Sequence, residues 1–271
     1  MHINNCSIVP AKSEHAVQAA VFVCELPALL SIEAIRKVIS HYETSTELQK
    51  LFPKKAESRS VSISVGAGGI GVQNNENITG VNFERIDANS NVELALSFNG
   101  SAITYVCNSY TRWNIVFKDA ISILEQFIKF VIPEPGISVI GLQYIDEFFV
   151  SGNLKNFTPS MIFSEHGSLL PANVLGQSEG WHSHSGWFDV GQDGEKILNN
   201  LNINTVIQPE RMVVQIISAH RNILLQPIID VGVASTALSD SYGKLHLKNK
   251  NLFAQLLNAQ MKREIHLETT S

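Results

Sequence analysis

The sequence predicts an α+β protein in which predominantly antiparallel sheet is packed by a few long helices. Apolar segments of strand length follow one another with turn-forming residues between them, which favours antiparallel pairing. Two long segments show the apolar period of a helix. These helices do not alternate with every strand, which argues against a doubly wound parallel fold. We therefore expect one structural unit over residues 1–271, and the element order allows two similar α+β halves, residues 1–155 and 156–271.

The predicted elements begin with a strand and a helix. Val17–Glu25 is short and apolar and ends just before a proline, which predicts a buried strand. Ser31 is a suitable N-cap, and apolar residues follow it at helical spacing, so we expect a helix from Ser31 to Leu51. Pro53 ends this helix because proline has no N–H to donate and its ring clashes with the preceding turn.

Several strands are predicted after this helix. Ser60–Val65 alternates serine with β-branched residues, which predicts a strand with one buried face. Asn74–Asn77 is polar and is expected to form a loop. Val92–Phe98 and Ala102–Cys107 flank the dipeptide Asn99-Gly100, which is a strong hairpin signal because both residues tolerate positive φ.

The clearest helical pattern lies in Trp113–Val131. The segment Ile137–Val150 after it is long and mostly apolar, so we expect a strand at the centre of the sheet. The helix is expected to bury a stripe made of Trp113, Phe117, Ile121, Leu124, Phe127 and Ile128. The predicted core residues are Phe117, Leu124, Phe127, Leu142, Tyr144 and Ile216.

The second half is predicted to contain loops, three strands and a closing helix. Residues 151–180 are rich in Gly, Asn, Ser and Pro, which is typical of loops. His220-Arg221-Asn222 is expected to form the turn between the last two strands, and Asn251–Glu264 the closing helix. The three strands are Leu201–Ile207, Met212–Ala219 and Ile223–Val233.

Composition and charge disfavour several classes of function. The 271 residues carry a formal net charge of −5 and 44% of them are hydrophobic, so a core can form and no overall attraction to nucleic acid exists. No apolar run reaches the roughly 18 residues that span a bilayer. Cys6, Cys24 and Cys107 fit no disulfide framework, and the last two lie in apolar runs and are expected to be buried. A reducing, cytoplasmic location is therefore expected.

Gly66–Gly71 matches the dinucleotide-binding pattern G-x-G-x-x-G after a predicted strand. In such a site the next residues open a helix whose N-terminal amides hold the pyrophosphate. Here a polar loop sequence follows instead. We interpret the segment as a strand end or β-bulge, and we expect no nucleotide cofactor.

The segment Trp181–Phe188 carries the most suggestive chemistry. On a strand, His182 and His184 point to the same side, where they are candidate metal ligands with Asp189 or His166 as a third. Alternatively, the aromatic residues around them anchor a binding surface, because exposed aromatic side chains dominate interface energies. The third interpretation is structural, with the tryptophans in the core.

Other candidates are polar residues in or near the later strands. His220 and Arg221 lie at a predicted turn, and exposed turns often carry function. Asp146, Glu147 and Asp230 accompany apolar strands, where a buried carboxylate must be hydrogen-bonded or paired, and a structural ion pair is the default interpretation. No nucleophile elbow, P-loop, H-E-x-x-H or C-x-x-C motif occurs, which favours a non-catalytic role.

Several short blocks, spread over most of the chain, resemble those of a known family. They are Tyr110–Trp113 with Phe117, the block Gly-Leu-Gln-Tyr-Ile-Asp at 141–146, Asp230, the first strand and helix, and the closing helix. In this order they resemble the sporadically distributed family of conserved hypothetical proteins of bacteria and archaea. That family usually has Arg where Gln143 stands here. The resemblance to this family implies no catalytic residue in this chain. The scattered distribution of the family implies that its genes lie in toxin–antitoxin or phage-defence loci.

We therefore expect a non-catalytic binding or regulatory subunit without a cofactor, which acts with a protein partner in a phage-defence or toxin–antitoxin system. The alternative is a metal-dependent hydrolase that uses His182 and His184. A homo-oligomer is compatible with the sequence, whereas a membrane is not expected and nucleic acid is not favoured. The predicted partner-binding residues are Trp181, His182, His184, Trp187, Phe188, His220 and Arg221.

Overall fold

The computed structural model describes residues 6–66, 69–133, 135–178, 180–191 and 194–267, and of residues 61–66 and 69–76 it describes the backbone alone. The strands are β1 (Ser7–Pro10), β2 (Val17–Glu25), β3 (Lys54–Gly66), β4 (Gly69–Ile86), β5 (Val92–Asn99), β6 (Ala102–Cys107), β7 (Ile137–Ser151), β8 (His182–Val190), β9 (Lys196–Ile207) and β10 (Met212–Ile228). The helices are α1 (Ile32–Thr44), α2 (Thr46–Leu51), α3 (Trp113–Ile128), α4 (Ala172–Leu175), α5 (Val231–Leu256) and α6 (Ala259–Glu264).

Ten strands of the described chain form a large antiparallel sheet, which confirms the predicted α+β class. Nine of them follow the order β3-β4-β5-β6-β2-β7-β10-β9-β8, and β1 pairs with β7. The strand predicted to be central, β7, lies inside the sheet between β2 and β10. The two ends of this order, β3 and β8, are edge strands.

The chain divides into two compact units, each made of separate segments. One unit consists of Met1–Ala20, Gly141–Ile223 and Ser241–Ser271, and the other of Val21–Ile140 and Leu224–Asp240. The similarity of the two halves, residues 1–155 and 156–271, remains a prediction.

The first helix is shorter than predicted because Ser45 interrupts it. The prediction of one helix from Ser31 to Leu51 is wrong: α1 ends at Thr44, and Ser45 adopts an extended backbone with φ −105° and ψ 105°. The hydroxyl of Ser45 accepts a hydrogen bond from the Leu48 N–H at 3.3 Å, so it caps the new helix α2. Serine side chains often hydrogen-bond to nearby backbone amides, so serine is common at a point where one helix ends and another begins.

The two hairpins of this region differ in how well the sequence predicts them. β5 and β6 pair as expected, with Asn99 opposite Ala102, so the two turn residues are Gly100, at φ +60°, and Ser101. The loop predicted at Asn74–Asn77 is wrong, because β4 runs through these residues. Asn77 pairs with Ser60 and Gln73 pairs with Ser62, so the polar segment coincides with a register shift between β3 and β4.

The glycine-rich segment Gly66–Gly71 lies between two strands rather than before a helix. Gly66 pairs with Gly69, and β4 begins at Gly69. Ala67 and Gly68 lie outside the described residues. The helix N-terminus that a dinucleotide site requires therefore does not follow this motif.

The core prediction is correct except at one residue. Leu124, Phe127, Leu142, Tyr144 and Ile216 are all buried, as are Cys24 and Cys107. Phe117 is only half-buried and stacks on Trp113, with ring centroids 4.8 Å apart. The buried face of α3 is rotated relative to the predicted stripe and consists of Val116, Ala120, Ile123, Leu124, Phe127 and Ile128.

The last strands and the closing helix differ most from the prediction. A single strand, β10, replaces the two strands predicted between Met212 and Val233, so His220-Arg221-Asn222 is not a turn. Helix α5 begins at Val231, well before the predicted start at Asn251, and Asn258 caps the separate helix α6 by accepting from the Met261 N–H at 2.9 Å. No helix of the described chain is both long enough and apolar enough to cross a membrane.

Candidate functional site

The edge strand β8 is the first feature of the candidate site. It pairs on one side with β9, from His182 opposite Asn204 to Val190 opposite Lys196, without a register shift. On its other side no strand of the described chain pairs with it. An edge of this kind presents a row of backbone N–H and C=O groups without sheet partners.

The side chains of β8 alternate between two faces. His182, His184, Gly186, Phe188 and Val190 point to the open face and are exposed, with Phe188 57% and Val190 64% exposed. Ser183, Ser185, Trp187 and Asp189 point to the inner face, where α5 lies, because Asp189 forms an ion pair with Lys248 of that helix. The strand therefore exposes apolar side chains as well as backbone.

The two edges of the sheet differ in how they are protected against pairing. Natural edge strands usually carry charged residues, proline or bulges that prevent association with another chain. β3 has charges at Lys54, Lys55, Glu57 and Arg59 and two register shifts. β8 has nine residues, no proline, no lysine and no bulge, and its single carboxylate, Asp189, points to the inner face. Only one of the two edges therefore lacks these protective features.

The predicted partner-binding residues separate into exposed and buried groups. His182, His184 and Phe188 are exposed on the open face. Arg221 shares that face with Phe188, because both pair with Leu198 of β9. Trp187 is half-buried and packs against the core. The arrangement brings four of the predicted residues to one face of the sheet.

Two of the predicted partner-binding residues are wrong. Trp181 is 7% exposed and packs edge-on against Phe163, with ring centroids 6.1 Å apart. His220 is fully buried inside β10. Burial prevents either side chain from contacting a partner. For Trp181 the structural interpretation of the tryptophans is the correct one.

The histidine pair lacks the predicted third ligand. His182 and His184 do share one face of β8, as predicted, but Asp189 lies on the opposite face because it is an odd number of residues away. Among the residues that the structure describes, no group of three His, Cys, Asp or Glu side chains is arranged to hold a metal ion. The suggestion that Asp189 completes a metal site is therefore wrong.

A buried polar network on the inner face was not predicted. His220 Nδ1 lies 2.8 Å from Asn199 Oδ1, and Asn199 Nδ2 donates to Asp189 Oδ2 at 2.9 Å. Because the Asn199 nitrogen is used as a donor, its oxygen accepts and His220 donates from Nδ1. Lys248 completes the network through its ion pair with Asp189, and its hydrogen bond holds the pKa of Asp189 below the usual range.

The same histidine connects the sheet to α5. His220 Nε2 lies 3.3 Å from Asn249 Oδ1, to which Ser218 donates at 2.6 Å. Burial lowers the pKa of His220 to about 4, so the ring is neutral at pH 7. Since the neutral ring donates from Nδ1, its Nε2 carries no proton to give to Asn249 Oδ1, and the 3.3 Å approach of these two atoms is a contact rather than a hydrogen bond. The network fixes α5 on β10.

The sequence did contain a signal for this network. Ser218, His220 and Asn222 alternate with other residues along β10, so all three point to one face. Three polar residues on the buried face of an apolar strand require buried hydrogen-bond partners. Interpreting two of them as turn residues concealed this period-two pattern.

A cleft of about 570 Å³ lies between the inner face of β8–β10 and helix α5. Its volume is within the range typical of binding pockets. The floor includes Asn199 and His220 of the network, and Lys244 and Lys248 approach from the helix. The remaining lining residues are Leu169, Trp187, Asp189, Ile197, Leu247, Asn251, Leu252 and Gln255.

The acidic residues Asp146, Glu147 and Asp230 do not form a paired site. Asp146 is 3% exposed, and its Oδ2 has no hydrogen-bond partner among the described residues. Burial raises the pKa of Asp146 to about 8. Glu147 points to the other face and accepts from Gln215 at 2.9 Å, and Asp230 is exposed and accepts from the Gly232 N–H at 2.7 Å. The three carboxyl groups therefore have separate structural settings.

Comparisons with known protein families, with curated protein sequences and with solved structures gave no match. The β8 edge and the cleft beside it are therefore the features from which we infer a function.

Proposed function

We propose that this chain is a non-catalytic binding subunit that engages a protein partner by adding an extended segment of that partner to the edge of β8. The observation that carries the proposal is the unprotected, nine-residue edge of β8 with Phe188 and Val190 exposed on it. In strand addition, main-chain hydrogen bonds supply much of the affinity and alternate side chains supply the specificity. Both elements of recognition are present on this strand.

Hydrogen bonding and apolar burial both favour the binding of a partner strand to the edge of β8. A partner strand satisfies the free N–H and C=O groups of β8 in the same way as β9 does on its other side. Fully burying a side chain such as Phe188 or Val190 contributes about 1.5–3 kcal/mol each. These terms must exceed the cost of ordering the partner segment, so a partner that is already extended binds best.

The resemblance to the sporadically distributed bacterial and archaeal family supports a biological setting. We propose that the partner is encoded beside this chain in a toxin–antitoxin or phage-defence locus and that both act in the cytoplasm. We do not propose a metal-dependent hydrolase, because His182 and His184 have no third metal ligand in the described part of the chain.

The proposal is tested by co-expressing the chain with the product of the adjacent gene. We expect the two proteins to purify together and the Phe188→Lys variant to weaken the complex at least tenfold, since it places a charge on the edge. Ile207→Lys is the matched control, because Ile207 is also 57% exposed but lies at the far end of β9. Hydrogen exchange should slow at residues 182–190 in the complex.

Two results would overturn this proposal. One is a complex that Phe188→Lys and Ile207→Lys affect equally, or in which the amides of β8 exchange as fast as in the free chain. The other is a dimer of this chain in light scattering that Phe188→Lys converts to a monomer. In that case the occupant of the β8 edge is a second copy rather than a different protein.

A further inference from the structure

The cleft beside β8 lies where alternate side chains of an added strand would point. A strand that pairs with β8 runs about 4.8 Å from it, and its side chains alternate between the two faces as those of β8 do. Every second side chain then points to the inner face, next to Trp187 and Asp189. Both residues line the cleft. Recognition of a partner strand at this edge therefore includes the cleft.

One part of the cleft lining is apolar and partly uncovered. Trp187 is half-buried, and Leu247 of α5 is 51% exposed. Leu169, Ile197 and Leu252 also contribute to the lining. An aliphatic or aromatic side chain placed here removes apolar surface from water on both sides.

The uncommitted polar groups of the cleft include lysine ammonium groups. Asp189 is already engaged by Asn199 and Lys248. The ammonium group of Lys244 lies 3.7 Å from a carboxylate oxygen of Glu195, which is longer than a hydrogen bond. Lys248 uses one N–H on Asp189, whereas an ammonium group has three donors. A carboxylate is the group that best satisfies these donors.

We infer that the cleft between β8 and α5 selects the partner segment, and that this segment is an extended strand with an apolar and an acidic residue two positions apart. The inference rests on the proposed function, because it requires a strand at the edge of β8. The apolar side chain contacts Trp187 and Leu247, and the acidic one contacts Lys244 and Lys248. The network of Asn199 and His220 holds Asp189 and Lys248 in place beforehand, which reduces the ordering cost of binding.

The experiment selects phage-displayed random peptides of about twelve residues, enough for a strand of ordinary length, on the full chain. Selections run in parallel on the Lys244→Glu variant and on Lys250→Glu, which makes the same charge change on the same helix outside the cleft lining. Peptides enriched on the unaltered chain should share the alternate apolar and acidic pattern. Their affinity should fall about tenfold on Lys244→Glu and stay unchanged on Lys250→Glu.

The outcomes separate the inference from the proposed function. If the enriched peptides lose binding on Phe188→Lys but show no acidic preference, or bind Lys244→Glu as well as the unaltered chain, the edge binds a strand and the inference about the cleft is wrong. If no peptide is enriched, or binding persists on Phe188→Lys, both are wrong. Selection of basic in place of acidic residues by Lys244→Glu would support the inference directly.

Discussion

Asp146 is a carboxylic acid at a buried strand position where the neighbouring pattern predicts an apolar side chain. It lies on the buried face of β7, between Tyr144 and Phe148, and its Oδ2 has no partner among the described residues. A carboxylic acid in such a place remains protonated, because burial disfavours the charged form. The pKa of Asp146 is accordingly raised to about 8.

Replacing Asp146 with Asn should flatten the dependence of stability on pH. The folded pKa of Asp146, about 8, lies above the ordinary aspartate value of 3.8, so folding retains a proton that the unfolded chain releases. The contribution of Asp146 to stability therefore falls as pH rises from about 4 to about 8, by roughly 1.4 kcal/mol per pH unit for one proton. Asp146→Asn removes this slope, as denaturant unfolding between pH 6.5 and 8 would measure.

Asp230→Asn is the control for this measurement, because Asp230 is exposed and has a hydrogen bond from Gly232. A slope above pH 6.5 that is the same in Asp146→Asn and in the unaltered chain would contradict the assignment of that slope to Asp146.

The three aromatic residues near β8 show why residue type alone does not determine exposure. Trp181 is buried against Phe163, Trp187 is half-buried, and Phe188 is exposed. Trp187 and Phe188 are adjacent on a strand, so they must point to opposite faces. Their residue types and spacing were visible in the sequence, whereas the face that packs on a helix was not.

At the scale of elements, the attachment of α5 to β10 depends on hydrogen bonds as well as on apolar packing. Asn249 of α5 accepts from Ser218 and faces His220, and all three side chains are buried. Tyr144 of β7 and His246 of α5 form a second contact, with Oη and Nδ1 2.8 Å apart. Buried polar contacts of this kind fix the position of a helix, because a displaced helix leaves polar groups without partners.

Replacing Asn249 with Ala should destabilise the protein by about 1–3 kcal/mol, because it leaves the buried Ser218 hydroxyl without its acceptor. Asn251→Ala is the matched control, since Asn251 is exposed on the same helix and should change stability by less than about 0.5 kcal/mol. Equilibrium unfolding in urea measures both. Equal effects of the two substitutions would show that the network does not hold α5 in place.

At the scale of the whole molecule, three buried titratable groups with large pKa shifts make stability depend on pH. Burial lowers the pKa of His220 and of His246 to about 4, from the ordinary histidine value of 6.5, and raises the pKa of Asp146 to about 8. Between pH 4 and 6.5 the unfolded chain binds two protons at the histidines, while the folded chain retains one at Asp146. Above pH 6.5 Asp146 is the one of these three groups whose protonation differs between the two states.

These differences predict a maximum of stability near pH 6.5. Below that pH the two histidines outweigh Asp146, so stability rises with pH, and above it Asp146 makes stability fall. Thermal unfolding across pH 4.5–8.5 measures the curve. A melting temperature that rises steadily from pH 6.5 to 8 would contradict it. In Asp146→Asn we expect a plateau above pH 6.5 instead of a fall.

The sequence by itself determined the α+β class, the strand Val17–Glu25, the hairpin around Gly100 and most of the core, because apolar periodicity and turn residues act locally. It did not determine the long strand β10, the early start of α5 or the break at Ser45. There, polar residues such as His220 and Asn74 are compatible with a loop and with a strand, and only partners distant in sequence decide between them. The exposed edge of β8 and the cleft beside it likewise exist only in the tertiary structure, since strand order decides which strand lies at an edge. The shared face of His182 and His184 followed from the period of a strand, and partner binding by His182, His184 and Phe188 stays a prediction. Trp181 and His220 were misplaced because burial depends on the packing of other elements.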